Sequence, residues 1–167
     1  SQDYHTDQLL SDIEQLNTGY IGFSGSFWDQ VEQVETQQRQ GKTFHRVSKA
    51  LFSQELYPNQ FIYDEAKFLG RVVKVDKESV TLLHIDLDVL LETETWGLKP
   101  RDVFQAMAMN LLMDQDIHLV NLTGAAGSGK TILALAAAIE QTIPSKTYRR
   151  IIVTRSTQGL DEDIGFL

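Results

Sequence analysis

The 167-residue chain has no cysteine, which excludes a disulfide framework and any thiolate metal centre and fits a reducing compartment. Nowhere does an apolar run approach the roughly 20 residues of a membrane span. The N-terminus is polar and acidic where a signal peptide would be basic and then apolar. A soluble, cytoplasmic protein without a membrane partner is expected. Basic residues are in deficit, 15 Lys+Arg against 23 Asp+Glu for a net charge of −8, which disfavours coating of nucleic acid by the surface as a whole. The histidines, His5, His45, His84 and His118, lack metal-ligand spacing and read as single core or surface side chains. Proline is scarce, so Pro58, Pro100 and Pro144 read as a turn, a helix start and a helix stop. Hydrophobic residues make up 42% of the chain, enough to build the core of one ordinary domain or two small ones.

What the chain does have is a strand-length apolar run, Leu119–Leu122, then a glycine turn, then a long apolar helix. Gly124-Ala125-Ala126-Gly127-Ser128-Gly129-Lys130-Thr131 follows the spacing G-x-x-x-x-G-K-[ST]. In such a loop, small residues let successive backbone N–H groups turn inward around a polyphosphate. Lys130 then carries its charge to the β- and γ-phosphates, and the Thr131 hydroxyl is a ligand for the accompanying Mg2+. The helix beginning there aims its positive end at the anion. Ile132, Leu133, Leu135, Ala136, Ile139 and Ile143 spread around this helix up to Pro144. A glycine-rich turn with no ligand is the alternative.

Along the rest of the chain, residues 1–16 read as a linker or a loosely held helix, and Thr18–Phe23 as a strand with glycines at close approaches or bends. Ser26-Phe27-Trp28-Asp29 fits a capping box, with Phe27, Val31 and Val34 continuing at helical spacing toward Gly41, so a short helix is predicted there. Phe44–Leu56 is undecided between strand and helix, and Gln60–Tyr63 reads as a strand. Arg71–Val75 and Val80–Ile85 flank a polar turn and predict a hairpin. Together, residues 17–95 suggest a small barrel of OB or SH3-like type. A helix through Val103, Phe104, Met107, Ala108, Leu111 and Leu112 follows Pro100. Gln105 in its first turns could accept from N6 and donate to N7 of adenine, although an ordinary surface glutamine is the commoner reading of that pattern. Arg150–Thr154 reads as a buried strand, parallel to Leu119–Leu122 through a right-handed βαβ connection. Arg155 would leave its C-terminal edge, where such sheets place ligands. Arg39, Lys42, Arg46 and Lys49 form one basic cluster, and Lys146, Arg149, Arg150 and Arg155 another.

A working phosphate-loop enzyme also needs a strand-borne carboxylate for Mg2+ and water, and usually an arginine. Asp161, Glu162 and Asp163 sit in a polar segment unsuited to that role, and one further strand would leave much apolar surface uncovered. The chain, with its apolar end Gly165-Phe166-Leu167, is therefore expected to be a fragment of something longer.

From Trp96-Gly97-Leu98-Lys99-Pro100-Arg101-Asp102-Val103-Phe104-Gln105, through Leu119–Thr131 and Ile152-Val153-Thr154-Arg155, to Asp161–Leu167, the chain resembles the PhoH-like ATPases. It is more narrowly similar to longer members that join a PIN nuclease domain to a PhoH module. Tyr4-His5-Thr6-Asp7, Gly19-Tyr20 and Tyr57-Pro58-Asn59 fit the region between the two. The resemblance implies a RecA-like core related to helicases, ATP with Mg2+, single-stranded RNA as partner, Gln105 as adenine reader and Thr154-Arg155 as an element touching the nucleic-acid backbone. Ser156 stands where the family usually has proline, and the Mg2+-holding aspartate and PIN acidic residues are missing.

The expected architecture is α/β, the start of a RecA-like P-loop parallel sheet over 96–167, preceded by a small OB/SH3-like β-barrel domain over 17–95. The expected function is the ATP-binding (Walker A) portion of a PhoH-like ATPase, coupled in the full-length protein to RNA binding or unwinding; this chain would bind ATP without hydrolysing it. A homo-oligomer of the full-length protein is compatible with that. The rivals are an RNA-binding β-barrel with a vestigial P-loop and a fragment of a P-loop kinase or nucleotide transferase.

Overall fold

The computed structural model describes residues 18–155. The 1–16 linker, Tyr4-His5-Thr6-Asp7, Ser156 and the 161–167 segment lie outside the described residues. The described residues divide into two compact units, 18–93 with 100–107, and 94–99 with 108–155.

The first unit is a six-stranded sheet: β1 (Tyr20–Phe23), β2 (Val34–Arg39), β3 (Lys42–Ser48), β4 (Phe61–Asp64), β5 (Leu69–Val75) and β6 (Ser79–His84), in the order β1-β4-β5-β6-β3-β2. β1 runs parallel to β4, and every other neighbouring pair is antiparallel. The β5–β6 hairpin forms as its two β-rich runs predict, with a register shift between Val72 and Lys74. Alternation puts Ile62, Val72, Val80, Leu82 and Val47 on one face, where they bury with Phe27, Leu56 and Phe68. Gly22 on β1 is needed for space, since a Cβ there would lie 2.9 Å from the Tyr63 ring across the ladder.

A single turn, α1 (Phe27–Gln30), caps this core. Phe27 is fully buried and stacks on Phe68, centroids 4.5 Å apart and planes 9° from parallel. The buried Asp64 carboxylate fastens this cap: one oxygen accepts from the Phe27 N–H at 2.7 Å, the other from Ala66 and Phe68 N–H, both at 2.8 Å. The Ser26 capping box is not made, and the helix predicted toward Gly41 stops at Gln30. Val34–Arg39 instead joins a ladder with β3, because cross-strand hydrogen bonds outweigh weak helical spacing in a polar segment. The Phe44–Leu56 ambiguity resolves into β3 followed by a 3-10 turn at Lys49–Leu51. The ladder runs from β1 to β2 as one open sheet.

The core face also carries a polar line across three strands. Thr36 Oγ1 lies 2.9 Å from His45 Nδ1, and His45 Nε2 lies 3.3 Å from His84 Nδ1. Trp28 and Phe68 rings border His45. Two histidines read as solitary in the sequence are thus paired through the β3–β6 register. Burial first, and then the neighbouring His84, hold the His45 pKa below the ordinary histidine value of about 6.5.

α2 (Leu87–Glu92) lies within the acid-rich run Asp86–Glu94, capped by the Asp86 carboxylate on the Val89 N–H. α3 (Val103–Leu112) starts three residues after Pro100, with the Asp102 carboxylate accepting from the Gln105 N–H at 2.8 Å. Its Phe104 packs on Tyr20 and Tyr63 of β1 and β4.

In the second unit, α4 (Lys130–Thr142) buries Leu133, Ala136 and Ala137 against Met109, with Leu98, Ala108, Leu112 and Met113 around them. Gln141 Nε2 donates to the Leu112 carbonyl, and Glu140 accepts from the Trp96 N–H. The strands expected at Leu119–Leu122 and Arg150–Thr154 are not formed; Leu119 is 82% exposed and Ile152 77%. Among the described residues nothing ladders with either run, and a parallel pair needs neighbours on its edges and cover on both faces.

Replacing Asp64 with alanine strands the buried N–H groups of Phe27 and Phe68. Urea denaturation should show a loss of at least about 2 kcal/mol. The His45 array predicts a pH dependence of defined sign. As pH falls below about 6.5 the unfolded chain takes up a proton that folded His45 resists, so stability is fully present above that value and declines toward the folded pKa. Unfolding midpoints between pH 7.5 and 5 should trace this slope, and His45→Gln should flatten it.

Candidate functional site

The loop from Gly124 to Gly129 is exposed or half-exposed and leads without a break into α4. Gly127 and Gly129 hold φ of +78° and +87°, a left-handed conformation that L side chains rarely adopt. Gly124 also has a positive φ, +155°, and an added Cβ there would meet Ser128 Oγ at 3.3 Å. Gly129 is the residue before the helix and carries no side-chain cap, so the N–H groups of the first turn of α4 face the loop without a capping oxygen. That is the arrangement in which a helix N-terminus favours an anion.

Lys130 turns back over the loop. Its Nζ donates to the carbonyls of Gly124 and Ala125, both at 2.7 Å, and to Ser128 Oγ at 3.1 Å. A positive charge is thereby held inside the curl of the backbone. Ala125 also accepts from the Ser128 N–H at 3.3 Å, closing the turn that carries Ala126 and Gly127. Thr131 is exposed on the first turn of α4, one residue beyond the lysine. The residues present fit a polyphosphate with its Mg2+: small loop residues, a central ammonium, an adjacent hydroxyl and an uncapped helix start. Ser128, an unspecified position of the spacing, has a part that the spacing does not reveal, as acceptor for Lys130 and neighbour of Gly124.

Gln105 belongs to the first unit and the loop to the second. Its side chain serves the start of α3, Oε1 accepting from the Arg101 N–H at 2.9 Å, while the backbone N–H of Gln105 donates to the Asp102 carboxylate. This reciprocal pattern is close to a capping box. Arg155 is exposed at the end of the described residues. Among the described residues no three His, Asp or Glu side chains gather into a metal site, and no helix is long and apolar enough to cross a membrane.

Residues 97–167 match the family model described as PhoH-like protein. The C-terminal part of the chain is PhoH-like. It includes Gln105, the loop, α4 and Arg155. The chain is 40% identical to Protein PhoH2 of Bacillus subtilis (strain 168) over 114 residues, 66% of this chain and 25% of that protein. With Protein PhoH2 of Thermobispora bispora it shares 39% identity over 100 residues, 59% of this chain and 21% of the other. Protein PhoH2 of Mycolicibacterium smegmatis is 36% identical over 77 residues, 46% of this chain and 18% of that protein. The aligned part of the chain thus spans at most about a quarter of these relatives. No solved structure gives a significant match.

Proposed function

We propose that Gly124–Thr131 is the phosphate-binding loop of an ATPase and that this chain supplies its ATP-binding portion. The observation that carries this is the Lys130 ammonium drawn into a glycine loop at an uncapped helix start. In this reading Gly124, Ala125, Ala126, Gly127, Ser128 and Gly129 surround the phosphates, Lys130 neutralises the β- and γ-phosphates, and the Thr131 hydroxyl holds Mg2+. The metal supplies charge neutralisation at the phosphates. Gln105 reads adenine. Arg155 contacts single-stranded RNA or the nucleotide's phosphates, with the exposed Arg149 and Arg150 beside it in the chain.

The RecA-like core over 96–167 and the small-barrel identity of 17–95 belong to the same proposal. Ile132 and Leu135 of α4 and Ile143, the residue after its last turn, are exposed, as are Leu119, Ile152 and Val153. A helix apolar on more than one face is normally covered on more than one face. A larger parallel sheet, for which the longer relatives have room, would supply strands for both runs and cover for the helix. Coupling of ATP to RNA is a proposal about the full-length protein, where the remaining catalytic groups would lie.

Titration of the chain with ATP and Mg2+ tests the loop. Lys130→Ala should weaken binding at least tenfold, about 1.4 kcal/mol, with the melting curve unchanged; equal affinity for both chains would remove the loop from the site. For Gln105 the informative change is glutamate, which preserves an acceptor for the Arg101 N–H but cannot donate to adenine N7. Gln105→Glu should erode the preference for ATP over GTP, and an unchanged ratio would reject the adenine role.

A further inference from the structure

β2 ends the sheet, and all six of its residues are exposed. Side-chain burial therefore does little to hold it. Its pairing with β3 is set by the turn at Gln40 and Gly41, whose φ of +51° and +73° are those of a two-residue type I′ hairpin. Such a turn makes Arg39 and Lys42 a hydrogen-bonded pair, and alternation makes Gln37/Phe44 and Glu35/Arg46 hydrogen-bonded pairs as well. Thr36/His45 and Gln38/Thr43 are then non-hydrogen-bonded pairs, whose side chains lie closer. The 2.9 Å contact between Thr36 Oγ1 and His45 Nδ1 agrees with this phase. It follows that the backbone N–H and C=O groups of Thr36 and Gln38 face outward, along an edge that has no partner strand among the described residues.

The side chains of this edge are self-complementary about Gln37. Glu35 and Arg39 lie two residues to either side, on the same face of the strand. We infer that β2 pairs antiparallel with β2 of a second copy of this chain, across a two-fold axis at Gln37. Thr36 then stands opposite Gln38 of the other copy, and these are the residues whose backbone groups point outward. Glu35 stands opposite Arg39 of the other copy, once on each side of the axis. A one-residue slip would set inward-facing groups against outward-facing ones. A two-residue slip keeps the hydrogen bonds and loses both charge pairs.

The local contacts suit this register. Glu35 already accepts from Arg46 at 2.7 Å, so the incoming guanidinium would extend an Arg46–Glu35 pair into a line of alternating charge. Arg39 lies over the Phe44 ring at 4.8 Å, which keeps its guanidinium on the face where the opposing carboxylate would stand. The two copies would form one continuous sheet of twelve strands, twice the six of one copy.

The absence of cysteine makes the register directly testable. In a non-hydrogen-bonded antiparallel pair the Cα atoms are about 4.5 Å apart, inside the range a disulfide spans. Gln37→Cys should therefore cross-link to itself under mild oxidation, at twice the 18.9 kDa chain mass. Glu35→Cys, more than about 10 Å from its own counterpart at 3.4 Å per residue, should not. Arg39→Glu should lower the dimer fraction at least fivefold in sedimentation, and adding Glu35→Arg should restore it. Failure of Gln37→Cys to link, equal linking at positions 35 and 37, or no recovery in the doubly exchanged chain would overturn the inference. Circular dichroism of each variant verifies that the sheet is intact.

Discussion

Asp64 closes β4 and receives three backbone N–H groups, from Phe27, Ala66 and Phe68, at the rim of the core. A buried carboxylate is tolerable only when its oxygens are occupied. Here that requirement fixes where the chain entering α1 and the turn between β4 and β5 must sit. The parallel stack of Phe27 on Phe68 is the apolar consequence of the same placement. Apolar side chains from Val47, Ile62, Val72, Val80 and Leu82 then have a lid to bury against. The Thr36–His45–His84 line belongs to the same face, where Trp28 and Phe68 border a ring whose pKa is lowered by burial first and then by His84.

The glycine loop proposed to bind phosphate rests on a different kind of constraint. Its backbone is bent by glycines at positive φ, and its carbonyls are gathered by the ammonium of Lys130. The charge proposed to meet a polyphosphate is thus held in place by the curvature that admits one. Burial of Leu133, Ala136 and Ala137 against Met109 anchors the helix on which the loop stands. The Gln105 amide, proposed as the adenine reader, also completes the start of α3.

Much of the candidate site was legible in the chain because it depends on neighbours in sequence. Gly124 to Thr131 spans eight consecutive residues, and α4 follows from the apolar positions up to Pro144. β1, β4 and the β5–β6 hairpin were readable for a similar reason, from short β-rich runs broken by turn residues. β2 was not. Val34–Arg39 is polar and weakly periodic, and only the ladder with β3 makes it a strand. The runs at 119–122 and 150–154 show the converse: their apolar residues have strand character, but no partner among the described residues.

By itself the sequence determined the loop, its helix, the hairpin and the likeness of 97–167 to PhoH-like proteins, since each is encoded in contiguous residues and local φ/ψ preference. Only the tertiary structure decided the sheet order β1-β4-β5-β6-β3-β2, the pairing of His45 with His84, and the capture of the Phe27 N–H by Asp64, 37 residues away. Such relations depend on which distant backbone groups must be satisfied together once water is excluded. No local pattern in the chain records that choice.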